Sequence, residues 1–131
     1  MSDEELIELI EECNQGRHQL KRVTKDVYQL KLPEQFFYLV KSSREFIGII
    51  QYYNYNLHWL TVPELRGKGL LSDPIKDIIL PDIMKVFKKD HQRITISQGL
   101  DNPEASYNLA IKCGFTLVED DGFKYEMMYK P

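Results

Sequence analysis

The sequence predicts an α/β (α+β) domain in which a mostly antiparallel sheet of about seven strands is flanked by helices. Three observations carry this. Between Val23 and Val62, runs of β-branched and aromatic residues recur at the period of a strand. The segments from Ser2 to Gln15 and from Ile75 to Phe87 place apolar residues at the period of a helix. Further on, Asn102-Pro103 reads as a helix cap and first helical residue, with Gly114 as the stop.

Composition narrows the function classes. At 131 residues and 43% hydrophobic, the chain has the material for one domain, residues 1-131, with a real core. The net charge of −3 supplies no basic excess to hold a nucleic-acid backbone, so no nucleic-acid partner is expected. No apolar run approaches the roughly 18 to 20 residues of a membrane span, and the acidic start lacks the parts of a signal peptide. The expectation is a cytoplasmic protein without a membrane partner. Cys13 and Cys113 have no metal-ligand spacing, which reads as reduced structural thiols and no metal.

Each element has its own signals. Ser2 and Glu5 have capping-box spacing, Leu6, Ile7, Ile10 and Cys13 share one helix face, and Gly16 ends the segment. Val23 to Lys31, Gln35 to Lys41, Glu45 to Tyr53 and His58 to Val62 read as strands in an antiparallel meander, with turns at Pro33, at Ser42 to Arg44 and at Asn54 to Asn56. In the next helix, Asp73-Pro74 looks like a cap and first residue, and Pro81 predicts a kink costing about 3 kcal/mol. Arg93 to Gln98 is a short strand. Phe115 to Glu119 and Phe123 to Tyr129 form a final hairpin, turning at Asp120 to Gly122.

The chain is organised around Leu57 to Leu71, LHWLTVPELRGKGLL: an apolar strand, a Pro-Glu corner and a glycine-rich loop that leads into a helix. Gly67 and Gly69 let a ligand approach main-chain N–H groups, and a helix start beside Arg66 and Lys68 favours a phosphate. V-P-E-L-R-G-K-G resembles the acetyl-coenzyme A loop of the GNAT superfamily of N-acetyltransferases, Gln/Arg-x-x-Gly-x-Gly/Ala. Arg66 and Gly69 match it, while Leu71 stands where the family has Gly or Ala. N-P-E-A-S-Y-N-L-A-I-K-C-G-F, from Asn102 to Phe115, resembles the second signature of that family, a helix ending in Gly-Phe.

The resemblance implies a GNAT-like fold, a mixed sheet that splays between its fourth and fifth strands, acetyl-CoA as co-substrate and transfer of acetyl to a primary amine. It implies main-chain contacts to the coenzyme from Leu60, Thr61 and Val62, and a pyrophosphate site at Arg66, Gly67, Lys68, Gly69, Leu70 and Leu71. His58 fits the base in place and type, because an imidazole titrates near the working pH. A strand histidine satisfied by its neighbours is the alternative. Glu64 reads as corner geometry, and Tyr52, Tyr53 and Tyr55 as acceptor lining or packing.

The position where many family members carry a tyrosine for the leaving thiolate is Ala110 here, and Tyr107 is three residues off. Ala105-Ser106 is similar to the Asn-x-Ala-Ser of the ribosomal-protein N-terminal acetyltransferase type, which implies that Asn102 and Ser106 contact the pantetheine near the sulfur. In that case Ser106 donates to the thiolate. Alternatively Asn102 is only a cap and Ser106 helix surface. The acceptor would be set by Asn14 to Arg22 and Glu119 to Gly122. A coenzyme-binding module without turnover is the second reading, and pairing of the last edge strand would give a homodimer.

Overall fold

Ser2 starts the first helix, α1 (Asp3–Asn14), with a reciprocal capping box: its hydroxyl accepts from the Glu5 N–H at 3.2 Å, and its own N–H donates to Glu5 Oε1 at 3.0 Å. The Ser2 N–H holds the Glu5 carboxyl below its ordinary pKa. Leu6, Leu9, Ile10 and Cys13 are buried. Leu9 takes a core place where Ile7 was expected, and Ile7 is only partly buried. At the other end the Asn14 amide clamps Phe46, accepting from its N–H at 2.6 Å and donating to its carbonyl at 3.0 Å.

The computed structural model describes residues 1–99 and 102–131. They fall into two compact units, the first made of Met1–Tyr53 and His58–Leu71. Its strands are β1 (Lys21–Arg22), β2 (Val27–Leu32), β3 (Gln35–Ser42), β4 (Glu45–Tyr53) and, from His58 on, β5 (Asn56–Thr61), in the order β1-β2-β3-β4-β5. Leu30 lies opposite Phe37, and Leu39 opposite Ile49. These residues, with Phe46 and Leu60, form the core under α1. Gln51 is also buried, and its amide donates to Gln35 at 2.8 Å, so the polar group is satisfied.

Two strand starts differ from the sequence expectation by two residues or more. Val23 to Asp26 make a turn instead of extending β2: the Val23 and Thr24 N–H groups both reach the Val27 carbonyl, at 2.9 and 3.1 Å, and Thr24 Oγ1 accepts from the Asp26 N–H. β5 begins at Asn56, two residues before His58.

The second unit is Asn54–Leu57 and Ser72–Pro131. It holds a continuous helical run of α2 (Ser72–Pro74), a π-helical turn (Ile75–Ile79) and α3 (Leu80–Val86), then β6 (Gln92–Ser97), α4 (Pro103–Lys112), β7 (Thr116–Asp120) and β8 (Lys124–Tyr129). Here the strand order is β5-β6-β8-β7. Asn56 and Leu57 pair in parallel with Arg93 and Ile94, and the other ladders are antiparallel. The architecture is therefore a mixed, mostly antiparallel sheet of eight strands with flanking helices.

The helix start corrects the expectation at Pro74. The helix already begins at Ser72, so Pro74 is its third residue. Proline is tolerated there because first-turn N–H groups have no partner within the helix. At Pro81 the expected strain is met by the π-helical turn just ahead, where the Leu80 N–H donates to the Ile75 carbonyl, five residues back. Among the described residues, no helix is long and apolar enough to cross a membrane.

Gly48 in β4 lies where the structure leaves no room for a side chain. A Cβ there would lie 2.5 Å from Leu71 Cδ2 and 3.3 Å from the Leu60 carbonyl oxygen. Leu71 is only 3% exposed and has little room to retreat. Gly48→Ala is therefore expected to destabilise the protein by about 1–3 kcal/mol. Adding Leu71→Ala to Gly48→Ala should return part of that. Urea unfolding of the two variants measures both effects, and an unchanged midpoint for Gly48→Ala would show that Leu71 moves aside at no cost.

Candidate functional site

The first unit collects most of the sequence-predicted site residues on one strand and the loop after it. Along β5, Leu57, Trp59 and Leu60 are buried while His58 turns outwards, its side chain 45% exposed and open to proton exchange. Its Nε2 lies 2.9 Å from Oδ1 of Asp3, the first residue of α1. An ionised carboxylate only accepts, so Nε2 carries the hydrogen and Nδ1 is the acceptor of the neutral ring. Asp3 sits in the first turn of α1, where an acid also suits the helix dipole. Nothing local links it to a histidine 55 positions away.

The loop begins as β5 ends. A short 3₁₀ turn, Pro63–Leu65, closes with the Leu65 N–H on the Val62 carbonyl at 3.0 Å. Arg66 Nε donates back to the Thr61 carbonyl at 3.0 Å. Gly67 and Gly69 have φ of 78° and 68°, values that favour glycine, and a Cβ on either would meet no atom within 4 Å. Exposed Lys68 stands between them, Leu70 is half-buried, and the helical run starts three residues after Gly69 at Ser72.

Two of the expected contact residues have partners within the protein. The Leu71 side chain is in the core against Gly48, so it offers a ligand no apolar surface. The Val62 N–H is bonded to the Ile47 carbonyl at 2.9 Å, so this donor is already engaged.

Asn102 and Ser106 belong to the second unit. Asn102 caps α4, its Oδ1 accepting from the Ala105 N–H at 3.2 Å. Ser106 is half-buried and shares a side of α4 with fully buried Ala110 and Cys113, at helical spacing. Tyr107 packs against Tyr125, ring centroids 4.8 Å apart. In the final hairpin, Asp121 Oδ1 accepts from the Phe123 and Lys124 N–H groups and Asp120 Oδ1 from that of Gly122. These carboxylates build the turn. Glu64 is exposed at the corner, Tyr52 is buried, and Tyr53 and Tyr55 are exposed.

Both cysteines are free, buried thiols. Burial pushes the Cys13 thiol up to about 11 and the Cys113 thiol up to about 12, and Cys113 Sγ lies 3.7 Å from the Ser72 carbonyl oxygen. Among the described residues no cluster of three or more His, Cys, Asp or Glu side chains is arranged to hold a metal ion.

No family model and no curated protein matches the sequence. Solved structures do match. The N-acetyltransferase PseH of Campylobacter jejuni, which has also been solved in complex with acetyl coenzyme A, superposes with a TM-score of 0.59 at 18% identity, covering 74% of this chain and 68% of its own. A chimera of the Vibrio cholerae spermidine N-acetyltransferase SpeG and hSSAT gives 0.60 at 16% identity, covering 95% of this chain and 75% of the chimera. A GNAT-family acetyltransferase from Bacillus anthracis gives 0.53 at 17%, covering 74% and 66%. The chain therefore has the fold of the GNAT acetyltransferases.

With thiols this far above neutral pH and buried, alkylation at pH 8 should be slow in the folded protein and rapid for both cysteines in denaturant. Mass spectrometry after a timed iodoacetamide pulse reads this directly. Rapid native labelling of Cys113 would contradict its burial beside Ser72.

Proposed function

We propose that the chain is an N-acetyltransferase that passes the acetyl group of acetyl-CoA to a primary amine by direct attack on the thioester. One observation carries the reading: in a fold shared with acetyltransferases, the loop after β5 turns through Gly67 and Gly69, where a Cβ on either would meet no atom within 4 Å, beside Arg66 and Lys68. These residues suit a pyrophosphate, since a glycine loop without side chains lets a phosphate come close to the main chain beside two cations. Arg66, Gly67, Lys68, Gly69, Leu70 and the main chain of Leu71 are assigned to it, and the main chain of Leu60 and Thr61 to the pantetheine. Bound acetyl-CoA supplies an activated acyl group with a good leaving thiolate.

The residues of this chain manage the protons. His58 takes the proton of the incoming ammonium on Nδ1, with Asp3 holding Nε2–H and so fixing the ring. A neutral amine then has its lone pair free for the carbonyl carbon. Ser106 is assigned to the thiolate and Asn102 to the pantetheine near the sulfur, which allies the chain with the ribosomal-protein N-terminal acetyltransferase type. Coenzyme binding without turnover is the second reading, favoured by one observation: the Val62 N–H is tied to Ile47 and absent as a donor to the carbonyl.

Calorimetric titration with acetyl-CoA tests the loop. Saturable binding is expected, weakened about tenfold by Arg66→Ala and less by Lys68→Ala, because Arg66 brings both a charge and a bond to the strand end. A folded protein that ignores millimolar coenzyme would sink the proposal. With an amine panel, His58→Ala should lower kcat by about 10²-fold or more, while Asp3→Ala should cost less and leave coenzyme affinity unchanged. Binding intact with no turnover on any amine would favour the second reading.

A further inference from the structure

Gln51 is a polar residue in an apolar place. Residues 46–52 of β4 are all buried, Gln51 is the only amide among them, and it is 6% exposed. Phe37 lies opposite it on β3, and Phe37, Leu39, Ile49 and Leu60 on the same side of the sheet belong to the core under α1. An amide among such residues is costly unless its polar atoms are used.

The bond to Gln35 uses the nitrogen end: Nε2 donates to Gln35 Oε1 at 2.8 Å. The oxygen end is different. Among the described residues Gln51 Oε1 has no donor, and no fully buried side-chain N or O atom lacks a partner, so this oxygen reaches solvent. It is an acceptor held at a fixed point, because the residue around it is packed and the other end of its amide is tied.

Its neighbour across the next ladder is His58. The Val62 N–H bonds the Ile47 carbonyl, which places these two residues opposite each other where β4 and β5 run antiparallel. Four residues back from Val62 is His58, and four on from Ile47 is Gln51. The two-residue connection of β4 to β5 gives the same register, since Asn54 and Tyr55 both have positive φ, 53° and 62°, as a tight hairpin turn requires. Opposed residues of an antiparallel pair share a face, with Cα atoms about 5.5 Å apart where the pair is hydrogen-bonded. His58 and Gln51 therefore stand side by side on the α1 face, where Asp3 of α1 holds the imidazole.

We propose that Gln51 Oε1 anchors the acceptor amine, taking one N–H while His58 Nδ1 takes the proton from another N–H of the same nitrogen. This rests on the reading of His58 as the base. A neutral amide suits the task. It orients the nitrogen without stabilising its positive charge, as a carboxylate would, and so does not oppose transfer of the proton to the imidazole. The nitrogen keeps its bond to Gln51 after that transfer, so the neutral amine stays in place.

The test uses n-butylammonium and n-butyltrimethylammonium, which share a chain and a charge and differ in having N–H donors. Titrated into the full chain and followed by amide NMR, butylammonium should shift the Gln51 side-chain NH2 and the His58 backbone amide saturably, and the trimethyl probe should not. Gln51→Met keeps the bulk, removes the acceptor, and should raise the butylammonium Kd about fivefold at an unchanged Tm. Gln51→Glu supplies a charged acceptor. It should bind butylammonium more tightly than the unaltered protein and lower kcat on any amine the protein acetylates, because a carboxylate holds the proton on the nitrogen. A residue that only packs would gain no affinity from Glu.

Equal shifts from the two probes, shifts centred away from Gln51 and His58, no saturable shift with butylammonium, or an unchanged Kd in Gln51→Met would each overturn the anchor. The probe comparison needs no variant, so it decides even where a substitution prevents folding. Amines acetylated by a protein that fails these tests would leave the transfer reading standing without the anchor. Probes that behave as expected, with no amine acetylated, would leave the amine site standing and sink the transfer reading.

Discussion

The geometry of the glycine loop depends on one packing contact, the Leu71 side chain in the space above Gly48. Burying a leucine is worth about 1.5–3 kcal/mol, more than loop residues gain from any single exposed contact. Leu71 therefore pins the far end of the loop, and the bond from Arg66 Nε to the Thr61 carbonyl pins the near end. What lies between, Gly67-Lys68-Gly69, has no side chain that could fold back to cover its amides except that of Lys68. The departure from the family pattern at Leu71 acquires a physical meaning here. A large residue at the loop's end is matched by the smallest residue on the neighbouring strand, and turning inwards keeps the loop's outer surface clear.

The helix after the loop solves a second problem, two prolines within eight residues. Pro74 falls in the first turn, where no intrahelical bond is lost. Pro81 falls later, where an α-helix would ask it for a donor it lacks. The chain widens to a π turn over Ile75–Ile79 just before it, which keeps Ile75, Ile79, Leu80 and Ile83 all buried. The cost is local and the apolar face is preserved.

Much of this was legible in the sequence, and the failures are of two kinds, local patterns with two solutions and contacts between distant residues. Capping at Ser2, the strands from Gln35 and Glu45, the Asn102 cap and the stop at Gly114 all rest on interactions within a few residues, which a linear pattern displays. The start of α2 was misread because Asp-Pro is the pattern of a cap followed by a first residue, yet proline is equally at ease two positions deeper in that turn. Val23 to Asp26 looked like strand because Val23 and Thr24 are β-branched, and local hydrogen bonds to Val27 and Thr24 overrode that preference. Contacts between distant residues left no trace: Leu71 with Gly48, and Asp3 with His58. Those are the features that decide the site.

The pairing of Asp3 with His58 shows how a short segment can hold two roles. Both side chains are about half exposed, and in a medium close to water a single hydrogen bond of this kind adds little stability. Its value is directional. A carboxylate fixed on one ring nitrogen selects the tautomer and aims the other nitrogen, provided that the carboxylate itself does not wander. The capping box supplies that condition, because Ser2 and Glu5 bond to each other on either side of Asp3 and fix the first turn of α1. Ser2, Asp3 and Glu5 thus act together, the outer two ordering the backbone and the middle one ordering the imidazole. Loosening the cap should therefore disturb His58 even though neither Ser2 nor Glu5 has a hydrogen bond to it.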